Sequence, residues 1–584
     1  MAERKNQNLL SGALILVVAT ALVKIISAIY KIPVTNLIGG TGMGYYSVAY
    51  KIYLPIWSIS MAGLPVAVSK MISEKAAVGR FNDVKRIFSV SLKVFLLTGT
   101  AGTALLMAVA YPYAVYVAKA PETISVILCV APAIFFCCVM SAYRGYYEGL
   151  RNMLPTALSQ VIEAVAKLVI GLSFSYAVVR IGIHQFETTG VVFGKAVENM
   201  NAAMAVIYPY AACGAILGVT AGTIASFLYL FIKLKIGGYG FSKDELFLAP
   251  AADSDKVILK SLIALAIPVV ISSLISNIST LIDAATVQNR LAYAIAHDSG
   301  GIINSIYSKS LSIISDSSIS SIYLYGCFDV AETLKNLVPQ ITLTLGVSSL
   351  PALAQYWSVN DEKNIRISVE SVFRVCLLIA LPVGFGMAVL PQQILALLYG
   401  SSQPDIQYAV PKILSIYGFT MALYAISSPL TTMLQAIGKA KIPAISFGIA
   451  CAVKIVLNYI LVANPRFNIL GAAISTVVCY MISVLVNLIY FFRYTKVKVN
   501  VMSILIKPLI SSVLCAAAAW ATNGLLGKIL SIDSRVITCA SILVAGVVYV
   551  LALLVTKSIA KDDVLMLPKG EKIAKVLEKI HCLG

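Results

Sequence analysis

Apolar runs of twenty or more residues, separated by short polar segments, recur along the whole chain. A bilayer core takes about 20 apolar residues per helix. Runs at 11–32, 45–69, 87–111, 123–143, 156–179, 203–232, 257–283, 328–354, 368–391, 408–434, 443–463, 470–492, 503–524 and 535–556 predict fourteen transmembrane helices. The first is expected to be a mature helix, because it is too long for a leader's apolar region and no small-residue cleavage site follows it. Basic residues concentrate in every second loop: Lys75, Arg80, Lys85 and Arg86; Arg144 and Arg151; Lys233, Lys235, Lys243 and Lys256; Lys363 and Arg366; Lys439 and Lys441; Arg493, Lys496 and Lys498. The opposite loops are poorer, with Lys119, Lys195, Arg290, Lys309, Arg466, Lys528 and Arg535. The positive-inside rule then places both termini in the cytoplasm of a multi-pass cell-membrane protein. Residues 568–581 carry Ile573, Val576, Leu577 and Ile580 on one helical face, which predicts an amphipathic tail helix on the cytoplasmic surface.

The pattern repeats at an offset of about 280–288 residues. Lys51, Pro55 and Leu64-Pro65 correspond to Lys335, Pro339 and Leu350-Pro351. Lys93-Val-Phe-Leu-Leu with Met107 and Pro112 corresponds to Arg374-Val-Cys-Leu-Leu with Met387 and Pro391, and Pro155 with Lys167 corresponds to Pro443 with Lys454. A six-helix unit enters the membrane from the same side in both copies, so the repeat is parallel. The expected division is an N-terminal six-helix lobe at 1–235, a cytoplasmic linker at 236–256 and a C-terminal six-helix lobe at 257–498. Two extra helices follow at 499–560, then the tail at 561–584. The fold class is an all-α polytopic membrane protein. Two like bundles imply a cleft and alternating access, with prolines inside the spans available as bends.

Composition narrows the reading. Hydrophobic residues make up 59% of the 584 and charged residues only 12%, too few charges to cover several soluble domains, and too apolar for disorder. The formal charge of +19 sits in short inter-span segments, which fits anionic membrane lipids as partners and not nucleic acid. The 11 cysteines lie mostly in apolar runs and read as small buried hydrophobes. No Cys/His metal spacing and no phosphate-binding loop appear, since Gly194-Lys195 and Gly438-Lys439 are both followed by Ala. Gly40, Gly42 and Gly44 read as a loop turn. No cofactor, metal or catalytic residue is expected.

A Lys or Asp at a helix centre costs about 2.5–3.5 kcal/mol on insertion scales, so such residues face a wet cavity or a partner. Lys24 and Lys31 fall seven residues apart in the first span, although Lys31 is near enough to the end to snorkel. Lys51 lies in the second span and Lys454, with Asn458 one turn on, in the eleventh. Glu163 and Lys167 form an i,i+4 pair in the stabilising order, readable as a self-neutralised pair or as part of a site. Asn277, Asp283, Glu332 and Lys335 complete the candidates. Basic groups outnumber acidic ones, which favours an anionic solute. Lys24, Lys31, Lys51, Lys167, Lys454, Asn458 and Asn277 are the substrate-binding candidates, and Glu163, Asp283, Glu332 and Lys335 the coupling or ion-pair candidates.

Leu37-Ile38-Gly39, Gly44-Tyr45-Tyr46 and Ala62-Gly63-Leu64-Pro65-Val66-Ala67-Val68-Ser69-Lys70 resemble the start of the stage V sporulation protein B group. So do Tyr143-Arg144-Gly145-Tyr146-Tyr147-Glu148-Gly149 and Ser159-Gln160-Val161-Ile162-Glu163, with Leu324-Tyr325-Gly326, Leu350-Pro351-Ala352 and Leu470-Gly471-Ala472-Ala473 in the second half. The likeness runs over about residues 8–500. That group is part of the multidrug/oligosaccharidyl-lipid/polysaccharide exporter superfamily, with lipid II flippases among its relatives. The resemblance implies two six-helix lobes plus two helices, and transfer of a polyprenyl-pyrophosphate-linked saccharide from the inner to the outer leaflet. It places Lys24 and Lys31 where lipid II flippases carry basic residues on their first helix. The arginine those flippases carry early in helix eight has no evident match here, although Glu332 and Lys335 lie nearby.

The expected function is therefore a flippase for a lipid II-like peptidoglycan or spore-cortex precursor. Two alternatives stand beside it. One is a cation-coupled multidrug exporter of the same fold, using Asp283 and Glu163. The other is a non-transporting scaffold, for which cell-wall synthases would be the partners.

Overall fold

Each of the fourteen apolar stretches lies mainly on helix in a computed structural model, which describes residues 9–61, 63–311, 320–400, 403, 405–529 and 533–560. The predicted tail helix at 568–581 lies outside the described residues. By length and apolarity, ten helices among the described residues can cross a bilayer, or eleven if the pair Pro411–Phe419 and Met421–Ala436, bent by 51°, counts as one span. The chain is a multi-pass membrane protein.

Contacts divide the chain into two compact units, Met1–Ala292 with Ile313–Gly326, and Tyr293–Ser312 with Cys327–Gly584. The first holds α1 (Leu9–Met61), α2 (Leu64–Ala77), α3 (Phe81–Pro112), α4 (Thr123–Gly149) and α5 (Leu154–Thr189). A hairpin of β1 (Val191–Val192) and β2 (Lys195–Ala196) follows, then α6 (Met200–Gly237), α7 (Lys243–Leu248) and most of α8 (Asp255–Ala296). Phe193 and Gly194 both take positive φ, 45° and 84°, as a two-residue hairpin turn requires. Buried α4 is the core of this unit and packs on α1, α2, α3 and α6.

The second unit contains α9 (Ile302–Ile306), α10 (Ser308–Leu311), the end of α11 (Ser320–Lys335), α12 (Leu337–Ser358), α13 (Glu362–Val389), α14 (Pro391–Tyr399) and α15 (Ile406–Ala409). It continues through α16 (Pro411–Phe419), α17 (Met421–Ala436), α18 (Lys441–Leu457), α19 (Asn468–Thr495), α20 (Lys507–Ile529) and α21 (Ser534–Val555). Leu353, Val369, Phe373, Leu377, Leu430 and Phe491 centre its core, where α12, α13, α17 and α19 meet.

The glycine turn expected at 40–44 is instead helical. At 53 residues α1 would run about 80 Å if straight, against a bilayer core of about 30 Å. It breaks at Gly39 alone, whose φ of 66° and ψ of −174° suit a residue without Cβ. Gly44 and Gly326 serve a close approach within the first unit. A Cβ on Gly44 would strike the Ile322 carbonyl oxygen, and one on Gly326 the Gly40 carbonyl oxygen. The start of α11 thus lies directly on the backbone of the second leg of α1.

The segment after α6 is fastened to the α2–α3 turn. Asn82 Nδ2 donates to the carbonyls of Leu246, Ala249 and Pro250 at 3.0, 3.1 and 3.2 Å. Asp253 accepts from Lys75 at 2.6 Å and from Arg80 at 2.7 Å, and its backbone N–H donates to Asp83 at 2.6 Å. Asp83 also pairs with Arg80, and Arg86 with Asp255 at 2.5 Å. Phe81 stacks on Phe241 with centroids 4.8 Å apart, and the Tyr146 hydroxyl donates to the Tyr239 carbonyl at 2.7 Å.

Candidate functional site: lysines faced by tyrosine rings

Tyr46, Tyr50 and Tyr53 recur at helical spacing on the second leg of α1, so they share a face. Their rings run in contact, with centroids 5.8 Å and 5.6 Å apart. Three candidate lysines rest on such rings. Lys31 Nζ is 5.8 Å from the Tyr46 centroid, and Lys51 Nζ is 4.9 Å from that of Tyr325 on α11. Lys167 Nζ, from α5, lies 5.1 Å from Tyr30 and 5.9 Å from Tyr50. Tyr30 is fixed by its hydroxyl, which donates to the Ala215 carbonyl of α6 at 2.7 Å. A ring face attracts an ammonium by about 0.5–2 kcal/mol, depending on desolvation, yet leaves its full charge in place. That attraction holds a cation in an apolar bundle.

The remaining candidates of this unit surround the same helices. Lys24 is half-buried on the first leg of α1, and that leg is tied to α5 by Thr20 donating to Gln160 at 3.4 Å. Lys51 is buried, as is Asp283 on α8. Asn277 Nδ2 donates to Ser58 Oγ at 3.3 Å.

Of the two readings left open for Glu163 and Lys167, an ion pair within α5 or parts of a site, the structure shows Glu163 paired with a residue of another helix. Glu163 Oε2 accepts from Arg144 Nη2 at 2.8 Å. Arg144, read from the sequence as a loop charge, sits inside α4 with its side chain 16% exposed. Its guanidinium projects at α5 and engages Ser159 and Glu163 there.

In the second unit, Lys335 ion-pairs with Glu332 at 3.2 Å. Its ammonium is also 4.8, 4.9 and 5.8 Å from the ring centroids of Tyr417, Tyr424 and Tyr480. Lys335 is the repeat counterpart of Lys51, so a tyrosine face recurs at both positions. Lys454 is 1% exposed in the last turn of α18. Asn458 opens the π turn Asn458–Val462 and accepts from Ser475 Oγ of α19. Such π turns are frequent at functional sites. Among the described residues, no group of three or more His, Cys, Asp or Glu is placed to hold a metal.

Sequence reading singled out the lysines and did not single out the rings or Arg144. The available signal was the Tyr-Lys dipeptide at Tyr30-Lys31 and Tyr50-Lys51, together with the tyrosine stripe.

Two family models match the chain, one described as polysaccharide biosynthesis protein over residues 9–357 and one named MatE over residues 328–460. The stage V sporulation protein B of Bacillus subtilis (strain 168) is 26% identical over 569 residues, covering 96% of this chain and 98% of the relative. The lipid II flippase MurJ of the same organism is 22% identical over 498 residues, covering 84% and 83%. A solved structure of lipid II flippase MurJ in an inward closed conformation shares the fold, with a TM-score of 0.60 at 15% identity over 92% of this chain and 98% of that one.

Proposed function

Because the chain belongs to the polysaccharide biosynthesis protein family, we propose that it is a flippase. It carries a polyprenyl-pyrophosphate-linked saccharide of the lipid II kind from the inner to the outer leaflet of the cell membrane by alternating access, with both termini in the cytoplasm. The carried saccharide serves peptidoglycan or spore cortex. One relative is named a lipid II flippase and another a sporulation protein, and both names accord with that substrate class.

The observation that carries the reading is the trio Lys31, Lys51 and Lys167, each lying over a tyrosine ring while the nearby Glu163 is engaged by Arg144. A pyrophosphate is a compact multiple anion, and the ammonium groups of Lys31, Lys51 and Lys167 on the helices of one unit supply its counter-charge. Lys24 extends the basic surface along α1. A cation-coupled drug exporter would need Glu163 available for its ion, whereas here Arg144 holds it. The inside-negative potential favours return of a positively charged empty site toward the cytoplasm, by about 2.3 kcal/mol per charge per 100 mV. Anionic lipids surround the basic loops, and cell-wall synthases are the downstream partners that use the delivered lipid.

Lys51→Ala and Lys167→Ala are expected to abolish growth rescue of a lipid II flippase-depleted strain. Full rescue by both variants at normal expression would overturn the site.

A further inference from the structure

Glu163 and Lys167 stand one turn apart on α5, in the order that forms an ion pair on an isolated helix. If they paired, one of the site's positive charges would be cancelled. We propose that Arg144 is a positioning residue that holds Glu163 and so keeps the Lys167 ammonium presented to the anionic substrate. This rests on the flippase reading for the identity of the anion, but the capture of Glu163 can be tested without it.

Arg144 is built in from three helices. Its Nη2 donates to Glu163 Oε2 at 2.8 Å and to Ser226 Oγ of α6 at 3.2 Å, and its Nε donates to Ser159 Oγ of α5 at 2.9 Å. Both serines are fully buried. Each already uses its own proton on a carbonyl: Ser159 donates to Thr156 at 2.7 Å and Ser226 to Ser159 at 2.9 Å. A hydroxyl has one proton and two lone pairs, so both serines face Arg144 as acceptors. The guanidinium fork therefore has one fixed direction, toward Glu163. Gly222, one turn before Ser226, allows this closeness, because a Cβ there would come within 2.6 Å of the Glu163 carbonyl. The Lys167 ammonium lies instead over Tyr30 and Tyr50. Arginine suits the role better than lysine, since its planar fork engages several acceptors at once and does not lose its charge.

The test uses full-length protein in nanodiscs, as wild type, R144Q and R144Q/E163Q. The first readout is the reactivity of the Lys167 amine toward an amine-acylating reagent, followed by peptide mass spectrometry. Removing Arg144 strands a carboxylate beside Lys167, and the new pair lowers its reactivity about tenfold. Removing the carboxylate as well restores it to within about twofold. A purely structural role for Arg144 would leave the double variant as impaired as the single one, and unchanged reactivity in R144Q would equally overturn the proposal. The second readout is binding of undecaprenyl pyrophosphate by native mass spectrometry, expected to weaken about tenfold in R144Q and to recover in the double variant. If wild type fails to bind that probe while the reactivity pattern holds, the substrate reading fails and the positioning role stands. If it binds equally well in all three proteins, the positioning role is refuted.

Discussion

Lys75 and Lys167 both belong to the first unit, and their surroundings differ in kind. Lys75 meets carboxylates: it donates to Asp253 at 2.6 Å and lies 3.6 Å from Asp83, with Arg80 alongside. Lys167 meets ring faces, and the carboxylate one turn away is taken by arginine. At the α2–α3 turn, opposite charges cancel and the result is a fastening. Between α1 and α5, the ammonium is held over ring faces. The same residue type thus serves cohesion in one place and, under the proposed function, recognition in the other, and what distinguishes them is the partner, not exposure alone.

The largest effect is expected at Asp83. Its side chain is 1% exposed and engages Arg80, Lys75 and the Asp253 backbone N–H. Asp83→Asn leaves two basic groups short of counter-charge and is expected to cost about 1–3 kcal/mol, discounted because both are partly solvated. A lowered thermal midpoint in detergent, with Lys167 reactivity unchanged, would support the separation of roles. An unaltered midpoint would show that the fastening is dispensable.

A smaller effect is expected at Tyr50. Tyr50→Leu removes one of the two ring faces under Lys167 and should weaken binding of undecaprenyl pyrophosphate by about two- to fivefold, whereas Tyr50→Phe keeps the face and stays near wild type. Equal loss in both would assign the effect to the hydroxyl and remove the ring from the account.

The smallest effects concern solution conditions. Arg86 and Asp255 are 50% and 41% exposed, so raising salt from about 0.1 to 1 M should loosen this pair by under about 1 kcal/mol and modestly speed proteolysis between 238 and 254. The hydrogen bond from Lys75, followed by that from Arg80, holds the Asp253 carboxyl below the usual carboxylate range. A depressed folded value contributes stability above the unfolded value of about 3.9, and that contribution is lost as pH falls through the folded value. Protection of the segment should therefore be constant from pH 7 to 5 and fail only below about pH 4. Earlier loss would place its control in other groups.

The helices were legible because twenty-residue apolar runs leave little choice in a bilayer. The joining of the first two was not, since a Gly-rich segment looks like a turn until the backbone that presses on it is known. Gly44 has no signal that names Ile322 as its neighbour. The lysines stood out as charges where charge is costly. Arg144 did not, because five residues from a helix end a basic group reads as part of the loop, and its target lies 19 positions away on another helix. Tyr325 reached Lys51 only through long-range packing.

The start of α11 belongs to the unit that otherwise ends at Ala292. During synthesis, a nascent chain that has emerged through residue 292 still lacks the strip that seats against Gly40 and Gly44. The amino-terminal bundle has all its parts only once Gly326 has been added. Separately expressed halves cut at the 236–256 junction would divide that bundle's own parts between two polypeptides.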